Sequence, residues 1–296
     1  MALSPGSHVC ALILLASHGV VTKPPLHAKG QEWRRRPVVR SHSGPAPRSI
    51  DLLSSVSLRA SETPSAAQET SGPGCTEREK LACEGVGTFI LALAAACTGA
   101  QDTPLGPVGV AGVLIGLIYS FGKLSKAIFN PAACIALVMR GQISVDAALR
   151  YALVQLIAAF AAGLTGFAIY GTAAAPAFSP DAVSSGLTGL LRAGLSEVLF
   201  TGVIISAVCH AGTHHSQEKN DVVGLSIGLT VLGCVICSDY SGACFNPALG
   251  VGLQLSKALV GGGFPVQQAA TYIIAPSLGA VLATLVFQFV TCPHEP

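Results

Sequence analysis

From about residue 80 onward the chain alternates long apolar runs with brief polar breaks, whereas the residues before it are polar and rich in Ser, Arg and Pro. Six runs, at 81–100, 105–121, 145–171, 190–210, 222–238 and 266–291, have the length and low charge of helices that cross a bilayer. Two shorter apolar segments, 130–139 and 246–255, would rise roughly 15 Å, half a bilayer core of about 30 Å. Each opens on the same triplet, Asn130-Pro131-Ala132 and Asn246-Pro247-Ala248. Asn accepts bonds from the orphan N–H groups of a helix's first turn, and Pro at the first helical position loses no bond and already has helical φ. The pattern predicts an all-α membrane protein of six transmembrane helices and two re-entrant half-helices.

The two halves of the pattern correspond. Glu84 lies 46 residues before Asn130 and Glu197 lies 49 before Asn246, each followed four residues later by a threonine, Thr88 or Thr201. Gly112 and Gly228 each precede their Asn by 18 residues, and each belongs to a Gly-x-x-x-Gly pair, Gly112/Gly116 and Gly224/Gly228. Two copies of a three-span unit follow, about 80–171 and 188–292. An odd number of spans forces the copies into opposite orientations, so the half-helices enter from opposite faces and meet N-terminus to N-terminus near the midplane.

Composition agrees with a bilayer. Charged residues make up 11% of the chain against roughly 25% in soluble domains, and 51% are hydrophobic. Abundant Gly and Ala suit helices that approach closely in lipid. A net charge of +2 with no basic stripe gives no sign of nucleic-acid binding. Ten cysteines are scattered without zinc-ligand spacing, and Cys234-x-x-Cys237 sits inside an apolar run, where small apolar filler is the expected role. Residues 1–79 read as an extension separate from the 80–292 domain. Its apolar stretch, 9–21, has the length of a signal-peptide core, but no Lys or Arg precedes it. Seven Lys and Arg then follow by residue 50 against one acid, Glu32. This is either a two-part targeting segment or a polar tail.

Where the half-helices meet, each brings the positive end of a dipole, roughly half an elementary charge, and Asn130 and Asn246 bring amide donors. A neutral molecule with an oxygen acceptor can be held there and released, while a cation meets a barrier. No nucleophile, metal or cofactor is called for, and no His-Glu-x-x-His or Gly-x-Ser-x-Gly occurs. A passive conduit is the expectation; an ion-coupled transporter or a closed structural relative are the other classes. Glu84 and Glu197 are ionisable groups in apolar spans, either relays or, as their symmetry favours, anchors that fix the half-helix loops. His210, His214 and His215 surround the polar loop after the fourth span, which reads as a plain solvated loop before a pH sensor or a metal site. Lys123, Lys126 and Arg140 beside the first half-helix, with Arg192 and Lys257 alone on the other side, put the N-terminus and this loop in the cytosol.

Over residues 80–292 the chain resembles the aquaporins, the major intrinsic protein family. Asp239-Tyr240-Ser241-Gly242-Ala243-Cys244-Phe245-Asn246-Pro247-Ala248 is similar to the family's second pore loop, Glu84-Gly85-Val86-Gly87-Thr88-Phe89 to its first helix and Ala275-Pro276-Ser277-Leu278-Gly279-Ala280 to its sixth. The resemblance implies an hourglass channel for water or small neutral solutes such as glycerol and hydrogen peroxide, assembled as a homotetramer in the lipid bilayer. It also implies that the narrow outer filter falls on Val110, Cys234, Ala243 and Leu249. Orthodox members have Arg where this chain has Leu249, and Ser-Gly-Ala-His where it has Ser125-Lys126-Ala127-Ile128. Asn-Pro-Ala-Leu resembles the unorthodox, intracellular superaquaporins.

Overall fold

A computed structural model of the protein describes residues 74–171, 175–217 and 220–291, all within the unit Glu62–Pro296. The extension expected over 1–79 therefore falls outside the described residues as far as 73, and so does the side chain of His215. All regular structure described is helical. α1 (Glu77–Gln101) starts at a capping box, in which Thr76 Oγ1 accepts from Glu79 N and Thr76 N donates to the Glu79 carboxylate at 2.7 Å. α2 (Gly106–Ser125), the half-helix α3 (Pro131–Met139) and α4 (Val145–Tyr170) complete the first repeat. Ser144 caps α4, and Gly171, in the left-handed region at φ 74°, ends it.

A short α5 (Pro180–Ser184) leads into the second repeat. It comprises α6 (Gly186–Ala207), continued by a π-helical turn at Val208–Thr213, then α7 (Val223–Cys237), the half-helix α8 (Pro247–Lys257) and α9 (Val266–Val290). Pro276 lies inside α9, where the missing N–H is tolerated in a membrane helix. Among the described residues five helices (α1, α2, α4, α9 and α6 with its continuation) are long and apolar enough to cross a membrane. The sixth expected span, 222–238, is α7, whose 15 residues rise about 22 Å, less than a bilayer core of about 30 Å. Its ends are set by Asn220, whose Oδ1 accepts from Val222 N, and by Ser238, where the chain turns into the second pore loop.

The packing repeats the symmetry of the sequence. α1 lies against α2 and α4; α6 lies correspondingly against α7 and α9. The repeats are interleaved, because α8 packs on α4 and α3 packs on α9. α2 and α7 cross between the repeats. There the two glycine pairs part company: a Cβ on Gly228 would lie 2.2 Å from Ile115 Cγ1, so the glycine is what permits the crossing, whereas Gly112 and Gly116 face open space. Outward, α6 presents Leu187, Leu191, Leu195, Leu199 and Val203, an exposed apolar stripe suited to acyl chains.

Candidate functional site

Both half-helices are reached through a loop that a buried carboxylate holds. Glu84 Oε1 accepts from Ser125 Oγ at 2.6 Å and Ile128 N at 2.9 Å; its Oε2 accepts from Phe129 N at 2.7 Å and Gln155 Nε2 at 2.9 Å. Glu197 Oε1 accepts from Ser241 Oγ at 2.8 Å and Cys244 N at 3.0 Å, and its Oε2 from Phe245 N at 2.7 Å. Both side chains are fully buried. The bonds explain a strained backbone. Lys126, Ala127 and Phe129 have φ of 72°, 51° and 49°, and Gly242, Ala243 and Phe245 repeat this at 74°, 49° and 52°. A left-handed residue other than glycine costs roughly 1–2 kcal/mol, while a hydrogen bond to a charged group contributes about 1.5–3 kcal/mol. Two backbone bonds and a serine bond per carboxylate are enough to hold the conformation.

With the loops so bent, the two triplets meet. Asn130 Oδ1 accepts from Ala132 N at 2.9 Å and Asn246 Oδ1 from Ala248 N at 3.0 Å, so each caps its own half-helix. The amide nitrogens cross over: Asn130 Nδ2 donates to the Phe245 carbonyl at 3.0 Å, and Asn246 Nδ2 donates to the Phe129 carbonyl at 2.8 Å. Each Nδ2 retains a second hydrogen (an amide has two donors), and both Asn residues line the central cavity. Pro131 and Pro247 occupy the first helical positions, and Ala132 and Ala248 are buried behind them.

The cavity has a volume of about 1490 Å³ and extends from a mouth lined by Lys80, Lys123, Lys126 and Asp221 to one lined by Asp102, Thr103 and Pro176. Of the four expected filter positions, Val110, Ala243 and Leu249 line it. Cys234 does not. It is 4% exposed, packs with Ile204 and Phe245, and its Sγ faces the Phe200 carbonyl at 3.8 Å; Val231 and Val235 form the α7 wall instead. Counting residues back from Asn246 fixes a position along the helix but not the rotation of its side chain about the axis. His210 and His214 stand edge-on to the Phe287 ring at 4.6 and 6.0 Å, with the Arg140 guanidinium 4.5 Å from the same ring. Arg140 also donates to the Thr213 carbonyl, so it joins the end of α3 to the π-helical turn.

Some of the supporting contacts had no mark in the sequence. Gln155 reaches Glu84 from α4. Ser196 Oγ meets Ser238 Oγ at 2.5 Å, and Ser238 Oγ meets Ser241 Oγ at 3.0 Å, a hydroxyl chain that ends on Glu197. Tyr272 on α9 donates to the Ser241 carbonyl at 2.8 Å. The serines that flank the loop are visible in the chain, but nothing in their spacing points to a partner on another helix.

Two facing half-helices, a cavity whose lining runs from one end of α1 to the other and, among the described residues, no charged side chain at their meeting point define a transmembrane channel. The profile of the family described as "Major intrinsic protein" matches residues 99–287, and the chain belongs to that family, the aquaporins, channels for water and small neutral solutes. Among its relatives are Aquaporin NIP2-1 of Arabidopsis thaliana, 32% identical over 245 residues (78% of this chain and 82% of the relative), and the Glycerol uptake facilitator protein-like 6 of Lactiplantibacillus plantarum, 29% identical over 216 residues (69% and 94%). In fold it is similar to the aquaglyceroporin of Plasmodium falciparum, with a TM-score of 0.61 at 20% identity, covering 74% of this chain and 98% of that one.

Proposed function

We propose that this channel passes glycerol-sized and peroxide-sized neutral solutes as well as water, and that its aperture is aliphatic, formed by Val110, Ala243, Leu249 and the α7 wall. The observation that carries the reading is Leu249: it follows the second triplet, lines the cavity and is 7% exposed. An Arg there would supply a charge and several donors to replace a water's hydration shell; Leu supplies neither, so the constriction is wider and drier. A relative named as a glycerol uptake facilitator supports the solute class. Transport is uncoupled, since the charged lining residues described lie toward the mouths and none on the half-helices.

The same residue supports placing the chain with the superaquaporins, in an intracellular or organelle membrane. The mouth that carries Lys80, Lys123 and Lys126 is assigned to the cytosol by the excess of basic residues on that side. The subunit functions in a homotetramer, for which the α6 stripe and the open Gly112/Gly116 face of α2 supply packing surfaces. The test is stopped-flow light scattering of proteoliposomes under water, glycerol and hydrogen peroxide gradients. Glycerol and peroxide flux above empty vesicles is expected; flux of water alone would overturn the aliphatic-aperture reading.

A further inference from the structure

The cavity is electrically lopsided. Its cationic lining residues among those described are Lys80, Lys123 and Lys126, all at one mouth; the acids are Asp221 at that mouth and Asp102 at the other. Lys126 differs from the other two lysines in standing inside a pore loop, four residues before Asn130. Its Nζ donates to Gln142 Oε1 at 3.4 Å, and Gln142 lines the same mouth, so the ammonium is directed along the wall of the conduit.

The backbone at Lys126 sharpens the point. Its φ of 72° and ψ of −1° match Gly242, at 74° and 9°, which holds the same place in the second repeat. One repeat thus uses the residue that adopts this conformation without strain, and the other uses a lysine at a cost of roughly 1–2 kcal/mol. A strained residue at a functional site motivates a search for what the side chain does. Here Leu249 leaves the outer constriction without a charge, and the barrier to cations is otherwise borne by two half-helix dipoles of about half a charge each.

We propose that Lys126, supported by Lys80 and Lys123, is a specificity-determining residue that excludes cations at this mouth, taking the part that a charged filter residue would play at the opposite one. The inference rests on the channel reading above. A narrow mouth with low-dielectric walls focuses the field of its charges, and such focusing alters local ion concentration about 10- to 1000-fold. The lysines lower the local concentration of sodium or potassium ahead of the Asn pair and leave neutral solutes unaffected, since these carry no charge.

The full-length protein in proteoliposomes tests this by the ratio of potassium flux to glycerol flux in one preparation. Lys126→Gly places in the first repeat the residue the second already has, and relieves the left-handed strain, so folding is favoured. Lys126→Gln and Lys126→Arg are the charge-removing and charge-keeping companions. The ratio is expected to rise about tenfold or more in the Gly and Gln variants and to stay low in Arg. In the wild type it is expected to rise as salt goes from 0.01 to 1 M, over which the Debye length falls from about 30 to 3 Å, and to respond far less in the Gly and Gln variants. A ratio in Lys126→Gly and Lys126→Gln equal to wild type at low salt overturns the proposal. Absence of glycerol flux from the wild type overturns the solute reading instead, and the potassium-to-water ratio then decides the role of Lys126.

Discussion

The two buried glutamates are the residues on which the pore loops depend most. Removing the Glu84 side chain would leave Ile128 N, Phe129 N, Ser125 Oγ and Gln155 Nε2 without their acceptor; at Glu197 the losses are Cys244 N, Phe245 N and Ser241 Oγ. Stranding buried donors costs about 1–3 kcal/mol each. Glu84→Ala and Glu197→Ala are therefore expected to lower thermal stability in detergent by several kcal/mol, with Glu84→Ala the worse by about one such donor. At the filter, Leu249→Arg is expected to reduce the glycerol-to-water permeability ratio about tenfold, the effect of raising one barrier relative to the other by about 1.4 kcal/mol. An unchanged ratio in folded protein would show that this position is not at the narrowest point. The cysteines make a finer test. Cys244, in the second pore loop, and Cys75 line the cavity and Cys234 does not, so mercurial block should be weakened in Cys244→Ala, lost in Cys75→Ala/Cys244→Ala and kept in Cys234→Ala. Asn130→Asp or Asn246→Asp would exchange a crossed amide donor for a carboxylate facing a carbonyl, and we expect low folding yield with cation leak in what assembles.

At the scale of the helix, the sequence made the half-helices legible to within a residue or two at their starts, because Asn-Pro is both the motif and the physical cap. Long helices were legible from hydropathy. The short α7 was legible too, the apolar run 222–238 against a helix at Val223–Cys237; what the run does not show is that the loop after it takes its geometry from Glu197, more than 40 residues away. Likewise, the glycine pairs looked equivalent in the chain, and only packing separates them. Gly228→Val should force Ile115 aside and destabilise the fold by about 1–3 kcal/mol. Gly112→Val should leave the subunit's own stability nearly unchanged. If the tetramer reading is right, its effect appears instead in the oligomeric state measured by light scattering.

For the whole molecule, the decisive property is that its two halves are interleaved rather than stacked side by side. The crossed bonds of Asn130 and Asn246 join residues 115 and 117 positions apart. On a ribosome adding about 5–20 residues per second, Asn130 waits roughly 6–23 s before Phe245 exists to receive its amide. Through that interval the first half-helix has neither its mate nor its final wall, α9, which is made later still. Its loop can still close on Glu84 and Gln155, both made from the same half. The first repeat is thus equipped to keep its shape in the bilayer while it waits, and conduction begins only after the second half-helix and α9 have been made. A chain halted before Asn246 holds one half-helix of the two and so contains no complete pore.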